Sequence, residues 1–194
     1  MQLNKAEQFI IEHLQLHLPA TLHYHKLAHT LDVVHSSLVI AEEENVTDPT
    51  ELILLKTSAL YHDCGFLHVY DHHEEEGCRI VQETLPRFSY NEQEITIICN
   101  MIMKTKVPQH PETHLEQILC DADLDHLGRE DFDSIGTQLY LERKEFGFNG
   151  NETEWNEIQI TFLESHVFWT KSSQLKRSSK KAEHLQRLKN LFIV

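Results

Sequence analysis

The sequence predicts an all-α protein, and three observations support this prediction. Apolar residues recur at intervals of three and four along most of the chain, which is the spacing of one helix face. Six Gly and five Pro among 194 residues provide few turns for a many-stranded sheet. No stretch shows sustained alternation of apolar and polar residues. We therefore predict one compact bundle of about eight or nine helices, with no linker long enough to divide the chain.

The predicted helices follow one another with punctuation residues between them. Approximate bounds are residues 3–18, 25–44, 50–62, 71–85, 91–106, 112–127, 132–146, 155–170 and 172–193. Pro19 ends the first helix, and Pro86 ends the fourth. Asp48 or Thr50 can cap the third helix. The second helix has an apolar stripe of Leu27, Leu31, Val34 and Leu38.

The remaining helices are recognised by similar signals. Asn91 is placed to cap the fifth helix, and Gly128 ends the sixth. The seventh ends at the glycine-containing loop 147–150. The eighth carries an apolar face that includes Trp155 and Trp169, and the ninth is rich in Lys and Arg.

The charge and the cysteines limit the classes of partner and compartment. A formal net charge of −14 argues against nucleic-acid polymers and acidic membranes, although a bound divalent cation would still admit a small anionic substrate. The four Cys show no CxxC pairing, so we expect free thiols in a reducing compartment. We find no signal peptide and no apolar run long enough for a membrane span, and we expect a cytoplasmic protein.

The segment Tyr61–Gly65 carries the strongest chemical signal. His62 continues an apolar helical stripe, and Asp63 follows it directly. That stripe consists of Leu52, Leu55, Ala59 and His62. An imidazole and a carboxylate directed inward need a partner, because an unpaired buried charge is costly. A metal ion is the usual partner, and its other ligands must come from elsewhere in the chain.

Two further residues complete a candidate metal site. His29 lies on the second helix, and Asp123 lies beside the apolar row of the sixth. Two imidazoles and two carboxylates suit Mn²⁺, Fe²⁺, Ni²⁺ or Zn²⁺, and suit Ca²⁺ less well. The absence of Cys from this set argues against a closed structural zinc site. Each His taken alone could equally be a buried, hydrogen-bonded core residue.

The order His29, His62-Asp63, Asp123 resembles the H…HD…D signature of the HD superfamily of metal-dependent phosphohydrolases. The resemblance implies a single HD domain over residues 1–194, with the metal-site core in about 20–130 and residues 131–194 completing the pocket. It also implies one or two divalent ions (Mn, Fe, Ni, Zn or Mg) and a small phosphorylated substrate. Stand-alone bacterial HD proteins also carry a similar C-terminal pattern, here Trp155, Gln159, Phe162-Leu163, His166 and Thr170.

The segment Tyr24-His25-x-x-x-His29 is similar to one in class I cyclic-nucleotide phosphodiesterases. In those enzymes the first His is the general acid, so the resemblance implies that role for His25. The chain has Lys26 where they have Asn, and Phe66 where they have a His after the HD pair. It also lacks the Lys and the Gly-Tyr-Pro motif of the cyclic-di-GMP-hydrolysing branch.

The resemblance implies roles for the neighbouring residues as well. Asp63 would orient a metal-bound water or bridge to a second ion. His73 and Glu74 are candidates for a second metal or for positioning water, or they form a solvated helix start. Asp121 is a candidate outer-shell residue.

Four further residues are candidates for substrate contacts, and each has a structural alternative. Lys104 and Thr105 can hold phosphate oxygens, or they simply complete the end of their helix. His166 lines the pocket, or it is a hydrogen-bonded core residue. Arg177 contacts substrate, or it belongs to a solvated basic face.

Other functions stay open at this point. An HD-fold diiron oxygenase would need more inward-facing His, which His72 and His73 could supply. A non-catalytic sensor could keep the site to bind metal or a nucleotide. A purely structural bundle would bind no transition metal.

Overall fold

The computed structural model describes residues 1–192 and confirms the all-α prediction. Among these residues there are nine α-helices, three 3-10 turns and no strand. The helices are α1 (Leu3–His17), α2 (Leu27–Glu43), α3 (Pro49–Tyr61), α4 (His73–Thr84), α5 (Glu92–Thr105), α6 (His114–Asp123), α7 (Phe132–Glu145), α8 (Glu152–Ser165) and α9 (Lys171–Asn190). The 3-10 turns are Cys64–Leu67, Leu85–Phe88 and Asp125–Gly128. The predicted last helix extended to Ile193, which lies outside the described residues.

Side-chain caps fix the start of most helices. The predicted caps are confirmed at Asp48, which accepts from two backbone N–H groups, and at Asn91, which forms a capping box with Glu94. Thr113 and Asn151 form the same reciprocal arrangement at α6 and α8. Each such cap contributes about 1 kcal/mol, because it satisfies N–H groups that the helix itself cannot pair.

Two predicted helix ends are wrong, and contacts with elements distant in sequence explain both. The sixth helix ends at Asp123, because residues 125–128 form a 3-10 turn on which α9 packs. The eighth ends at Ser165, because the N–H groups of Trp169 and Thr170 donate to the carboxylate of Asp121. Residues 166–170 therefore form a non-helical connection to α9.

The apolar face of α2 differs from the predicted stripe. Leu31 is 43% exposed, whereas His29 and Val33 are buried. The helix packs on both α3 and α6, so its buried face is wide and includes small polar residues. Those residues are Thr30, Ser36 and Ser37. The site residue His29 therefore lies on the core side of α2.

The buried apolar residues form two hydrophobic clusters. The larger cluster is formed by residues of α1 to α6 and the turns between them. The smaller one joins the turn after α6 to the last three helices and consists of Leu127, Phe132, Leu163, Phe168 and Leu188. The division of the chain into a metal-site core and pocket-completing helices stays a prediction.

Two expectations from the composition concern the cysteines and membrane spans. All four cysteines are free, and Cys64, Cys99 and Cys120 are buried. Within the described part of the chain, we find no helix with the length and apolar character that a membrane span requires.

The close approach of α4 to the turn after α3 depends on Gly65. A Cβ atom at this position would lie 1.9 Å from the backbone oxygen of His73. We expect Gly65→Ala to lower the free energy of unfolding by about 1–3 kcal/mol, the range for forced overpacking. Thermal unfolding would show this as a shift of about 2–4 °C per kcal/mol.

Gly77 provides the matched control in the same region. A Cβ added there would meet its nearest neighbours at 3.6 Å, an ordinary contact. Since glycine in a helix interior is less favourable than alanine by about 1 kcal/mol, Gly77→Ala should leave the melting temperature equal or higher. Equal melting temperatures for the two variants would contradict the role given to Gly65.

Candidate metal centre

Three helix ends bring three potential ligands together. His29 lies in the first turn of α2, His62 caps the end of α3, and Asp123 is the last residue of α6. The Nε2 atoms of His29 and His62 are 3.3 Å apart, and Asp123 Oδ1 is 3.3 Å and 3.6 Å from them, respectively. Ligand atoms held about 2.0–2.2 Å from one ion are separated by about 3.0–3.6 Å. The three side chains therefore have the spacing of a shared coordination sphere.

The hydrogen bonding of His62 orients its ring for metal binding. Its Nδ1 lies 2.8 Å from the carbonyl oxygen of Ala59, which can only accept, so Nδ1 carries the proton. Nε2, which faces His29, is then the nitrogen that can bind a cation when it is unprotonated. Metal-ligating His residues commonly donate their other N–H in this way. The local backbone at the end of α3 therefore selects the tautomer that a cation needs.

Asp63 supplies a fourth donor. Its Oδ2 lies 3.2 Å from His62 Nε2 and 3.3 Å from His29 Nε2, but this buried atom has no hydrogen-bond partner among the described residues. A buried carboxylate oxygen without a partner is costly. Two imidazole nitrogens and two carboxylate oxygens fit a divalent transition metal, which would satisfy this oxygen.

The electrostatics of the centre keep both carboxylates ionised. Burial raises the pKa of Asp123, but hydrogen bonds from His29 and His62 outweigh it and hold that pKa below its usual range. Asp63 follows the same pattern. Burial raises its pKa, but the charge of His62 and hydrogen bonds from His29 and His62 together outweigh burial, so the pKa of Asp63 lies well below its usual range. Metal ligands must be deprotonated, so both carboxylates have the charge state that a cation requires.

A second group of donors faces the other oxygen of Asp63. His73 Nε2 lies 3.5 Å from Asp63 Oδ1 and 3.5 Å from Glu74 Oε1. The ring of Phe66 stacks on those of both His25 and His73, at centroid distances of 4.4 Å and 3.9 Å. The structure thus brings His73 and Glu74 beside the centre. By contrast, the side chain of His72 is 76% exposed.

His25 is held in place by Glu142, which the sequence analysis missed. Glu142 Oε2 accepts hydrogen bonds from the backbone N–H groups of Tyr24 (2.8 Å) and His25 (3.0 Å), and Oε1 pairs with His25 Nδ1. Burial raises the pKa of Glu142, but His25 and the other donors outweigh it and lower it. The carboxylate leaves Nε2 of His25 free to exchange a proton.

The sequence did contain a signal for Glu142. This residue continues the inward stripe of α7, just as His62 continues that of α3. The stripe consists of Phe132, Ile135, Gly136, Leu139 and Glu142. An acidic side chain at such a position needs a buried partner, and His25 is that partner.

Tyr24 and His126 form a second pair beside the metal centre. The Tyr24 hydroxyl lies 3.3 Å from His126 Nδ1, and its ring packs 4.4 Å from that of His29. Burial, with a smaller contribution from His29, lowers the pKa of His126 to about 3, so this imidazole is neutral. Both side chains line the cavity that opens at the centre.

This main cavity has a volume of about 580 Å³. His25, Asp63 and Asp123 lie on its wall, which makes one part polar. Side chains of α7 and α8 form an apolar wall, including Leu139, Trp155, Ile158 and Phe162. The arrangement suits a ligand with a charged group at the metal centre and a less polar remainder.

Three of the predicted substrate contacts have other partners. Lys104 pairs with Glu112 at 2.6 Å, and Arg177 makes a bidentate pair with Asp125 at 2.6 Å and 2.8 Å. Thr105 lines the main cavity, but its hydroxyl donates to a backbone carbonyl of α5. Their substrate roles stay predictions, although Lys104 and Arg177 each have an acidic partner within the protein, and Arg177 does not lie on a solvated basic face.

The remaining two candidates lie towards the C-terminal connection. His166 follows α8 in an extended conformation, so its predicted position on a helix face is wrong; it lines a smaller cavity next to the main one. Asp121 accepts hydrogen bonds from Trp169 and Thr170 and does not face the metal centre. Its role is to anchor the connection to α9.

Comparison with known proteins gives the family. The model of the HD domain family matches residues 27–127, just over half of the chain. No curated protein matches this chain. The crystal structure of Bacillus subtilis YpgQ in complex with ADP shares the fold, with 15% identity and a TM-score of 0.67 over 98% of this chain and 96% of that one. A predicted HD superfamily hydrolase from an uncultured Thermotogales bacterium is similar as well, with 19% identity and a TM-score of 0.61 over 97% and 92% of the two chains. The chain belongs to the HD domain family.

Proposed function

We propose that this protein is a metal-dependent phosphohydrolase that cleaves a phosphomonoester or phosphodiester. The observation that carries this proposal is the convergence of two His Nε2 atoms with the carboxylates of Asp63 and Asp123 beside an open cavity. Membership of the HD domain family supports the same chemistry. A divalent ion held by these residues would supply an acidic water and a Lewis acid for a phosphoryl oxygen.

The chain's own residues supply the remaining steps. Asp63 directs Oδ2 towards His29 and His62, and Oδ1 towards His73. It can therefore accept a hydrogen bond from the attacking water and orient it. His25 is the general acid, which donates a proton from Nε2 to the leaving oxygen while Glu142 holds its Nδ1–H. His73 and Glu74 either hold a second ion or position water beside Asp63.

We propose a nucleotide or a cyclic nucleotide as the substrate class. The main cavity combines a polar part at the metal centre with a partly aromatic wall, which suits a phosphate joined to a nucleoside. The similar YpgQ was crystallised with ADP. A net charge of −14 disfavours a nucleic-acid polymer or an anionic membrane as partner, because phosphate backbones are bound mainly through Lys and Arg.

A panel assay tests this function. The purified protein is stripped of metal with a chelator, reloaded in turn with Mn²⁺, Mg²⁺, Fe²⁺, Ni²⁺ or Zn²⁺, and incubated with nucleotides, cyclic nucleotides and generic phosphodiesters. We expect release of phosphate or nucleoside monophosphate that depends on the metal. The His62→Ala variant, checked for folding by circular dichroism, should be inactive.

Two outcomes would contradict the proposal. Oxygen uptake by the iron-loaded protein without any phosphate release would indicate an HD-fold oxygenase. Metal binding without turnover of any phosphate ester would indicate a sensor.

A further inference from the structure

A second, smaller cavity lies where α8 joins α9. Its volume is about 170 Å³, whereas one buried water needs only about 10–15 Å³ of such space. It shares Val107, Leu124 and Phe162 with the main cavity, and Leu124 directly follows the candidate ligand Asp123. The two cavities therefore share part of their walls, and the small one lies close to the metal centre.

Three buried polar atoms on the wall of this cavity have no hydrogen-bond partner within residues 1–192. They are Gln109 Oε1, His166 Nε2 and Trp169 Nε1. Gln109 is the most buried of the three residues, with only 8% of its surface exposed. Such atoms normally find a partner, because an unpaired buried polar group costs about 1–3 kcal/mol. Three of them on one cavity indicate a ligand of matching chemistry.

The neighbours of these atoms define which of them donate. Lys181 Nζ lies 3.3 Å from His166 Nδ1, and an ammonium can only donate, so Nε2 carries the imidazole proton. Burial and Lys181 lower the pKa of His166 to about 4, which keeps the ring neutral. Gln109 Nε2 donates to the carbonyl of Cys120, so its free atom is the oxygen. With the Trp169 N–H, the cavity offers two donors and one acceptor.

We propose that this cavity is a subsite for uracil or thymine, which rests on the nucleotide substrate proposed above. Each of these bases presents two acceptors with one donor between them on the edge used in base pairing, the complement of the donors His166 and Trp169 and the acceptor Gln109. Cytosine presents the same groups in a different order, with its donor at one end. Guanine presents one acceptor and two donors there, and adenine one of each. The apolar side chains of Pro108, Phe162 and Val167 would cover the ring faces.

Binding of free nucleosides tests the subsite without relying on catalysis. Uridine and cytidine are titrated against the full chain in the absence of added metal and followed by saturation-transfer NMR. We expect uridine to bind, and cytidine, adenosine and guanosine to bind at least about tenfold more weakly, because their donors and acceptors differ in order or number. 3-Methyluridine, in which a methyl group replaces the hydrogen of the N3–H donor, should also lose about tenfold or more relative to uridine.

Two variants and one control locate the binding. Trp169→Phe keeps an aromatic ring but removes the N–H, and Gln109→Met removes the acceptor; each should weaken uridine binding about tenfold. Glu164→Gln alters a neighbouring residue of α8 that pairs with Lys189 and does not line the cavity, so it should bind uridine normally.

The results also separate this proposal from the proposed function. Equal binding of uridine and 3-methyluridine, equal binding of purine nucleosides, or no nucleoside binding would overturn the subsite, and the cavity would then hold only water. Phosphate release in the panel assay would survive any of these results. Conversely, selective uridine binding without turnover would leave the subsite intact and contradict the hydrolase.

Discussion

Replacing Asp123 with alanine is expected to abolish metal binding and phosphohydrolase activity together. Asp123 Oδ1 contacts the Nε2 atoms of both His29 and His62, so its removal leaves the centre without the carboxylate that joins α6 to α2 and α3. Loss of an outer-shell partner typically costs about 10–100-fold in metal affinity or activity, and loss of a ligand should cost more. Metal content by mass spectrometry and turnover with the best substrate provide the two measurements.

Asp121 gives a matched control two residues away on the same helix. Its carboxylate accepts three hydrogen bonds from Trp169 and Thr170 and does not face the centre. We expect Asp121→Asn to lower the melting temperature while it retains the metal. An Asp123→Ala protein that binds metal normally would show that Asp123 is not a ligand.

Replacing His25 with alanine is expected to lower kcat by about 10²–10⁴-fold while metal content stays unchanged. His25 lies 5.7 Å from His29 by ring centroids, and its Nδ1 is bound to Glu142, so it stands beside the centre without belonging to the three-ligand cluster. A general acid accelerates the step in which the leaving oxygen gains its proton. Its loss should therefore affect rate rather than metal affinity.

The choice of substrate separates this role from a structural one. A nitrophenyl ester has a leaving group that departs without protonation, so His25→Ala should impair it far less than an alkyl or nucleoside ester. Because Glu142 contacts His25 Nδ1, a variant of Glu142 should show the same difference between the two esters. Equal losses for both esters, or loss of metal equal to that of Asp123→Ala, would mean that the roles of His25 and Asp123 are misassigned.

Much of the fold could be predicted because helix signals are local. The caps at Asp48 and Asn91 and the inward stripe ending at His62 depend on residues within one or two turns. The errors arose where residues distant in sequence form hydrogen bonds or packing contacts that end a helix. The end of α8 depends on Asp121, 44 residues before Ser165, and no periodicity in the chain encodes that contact.

The candidate site, too, could be predicted from the sequence only in part. The positions of His29, His62, Asp63 and Asp123 could be proposed from their order in the chain, and the structure brings all four together. The pairing of Arg177 with Asp125 could not be foreseen, because α9 must first pack on the turn at residues 125–128.

The sequence by itself determined the all-α class, most helix starts and the residues that can bind a metal, because these follow from spacing and side-chain chemistry. Only the tertiary structure decided which polar residues share a cavity: Glu142 with His25, and Gln109 with His166 and Trp169. The physical reason is that burial removes water as a partner. The identity of each remaining partner then depends on how helices distant in sequence pack against one another.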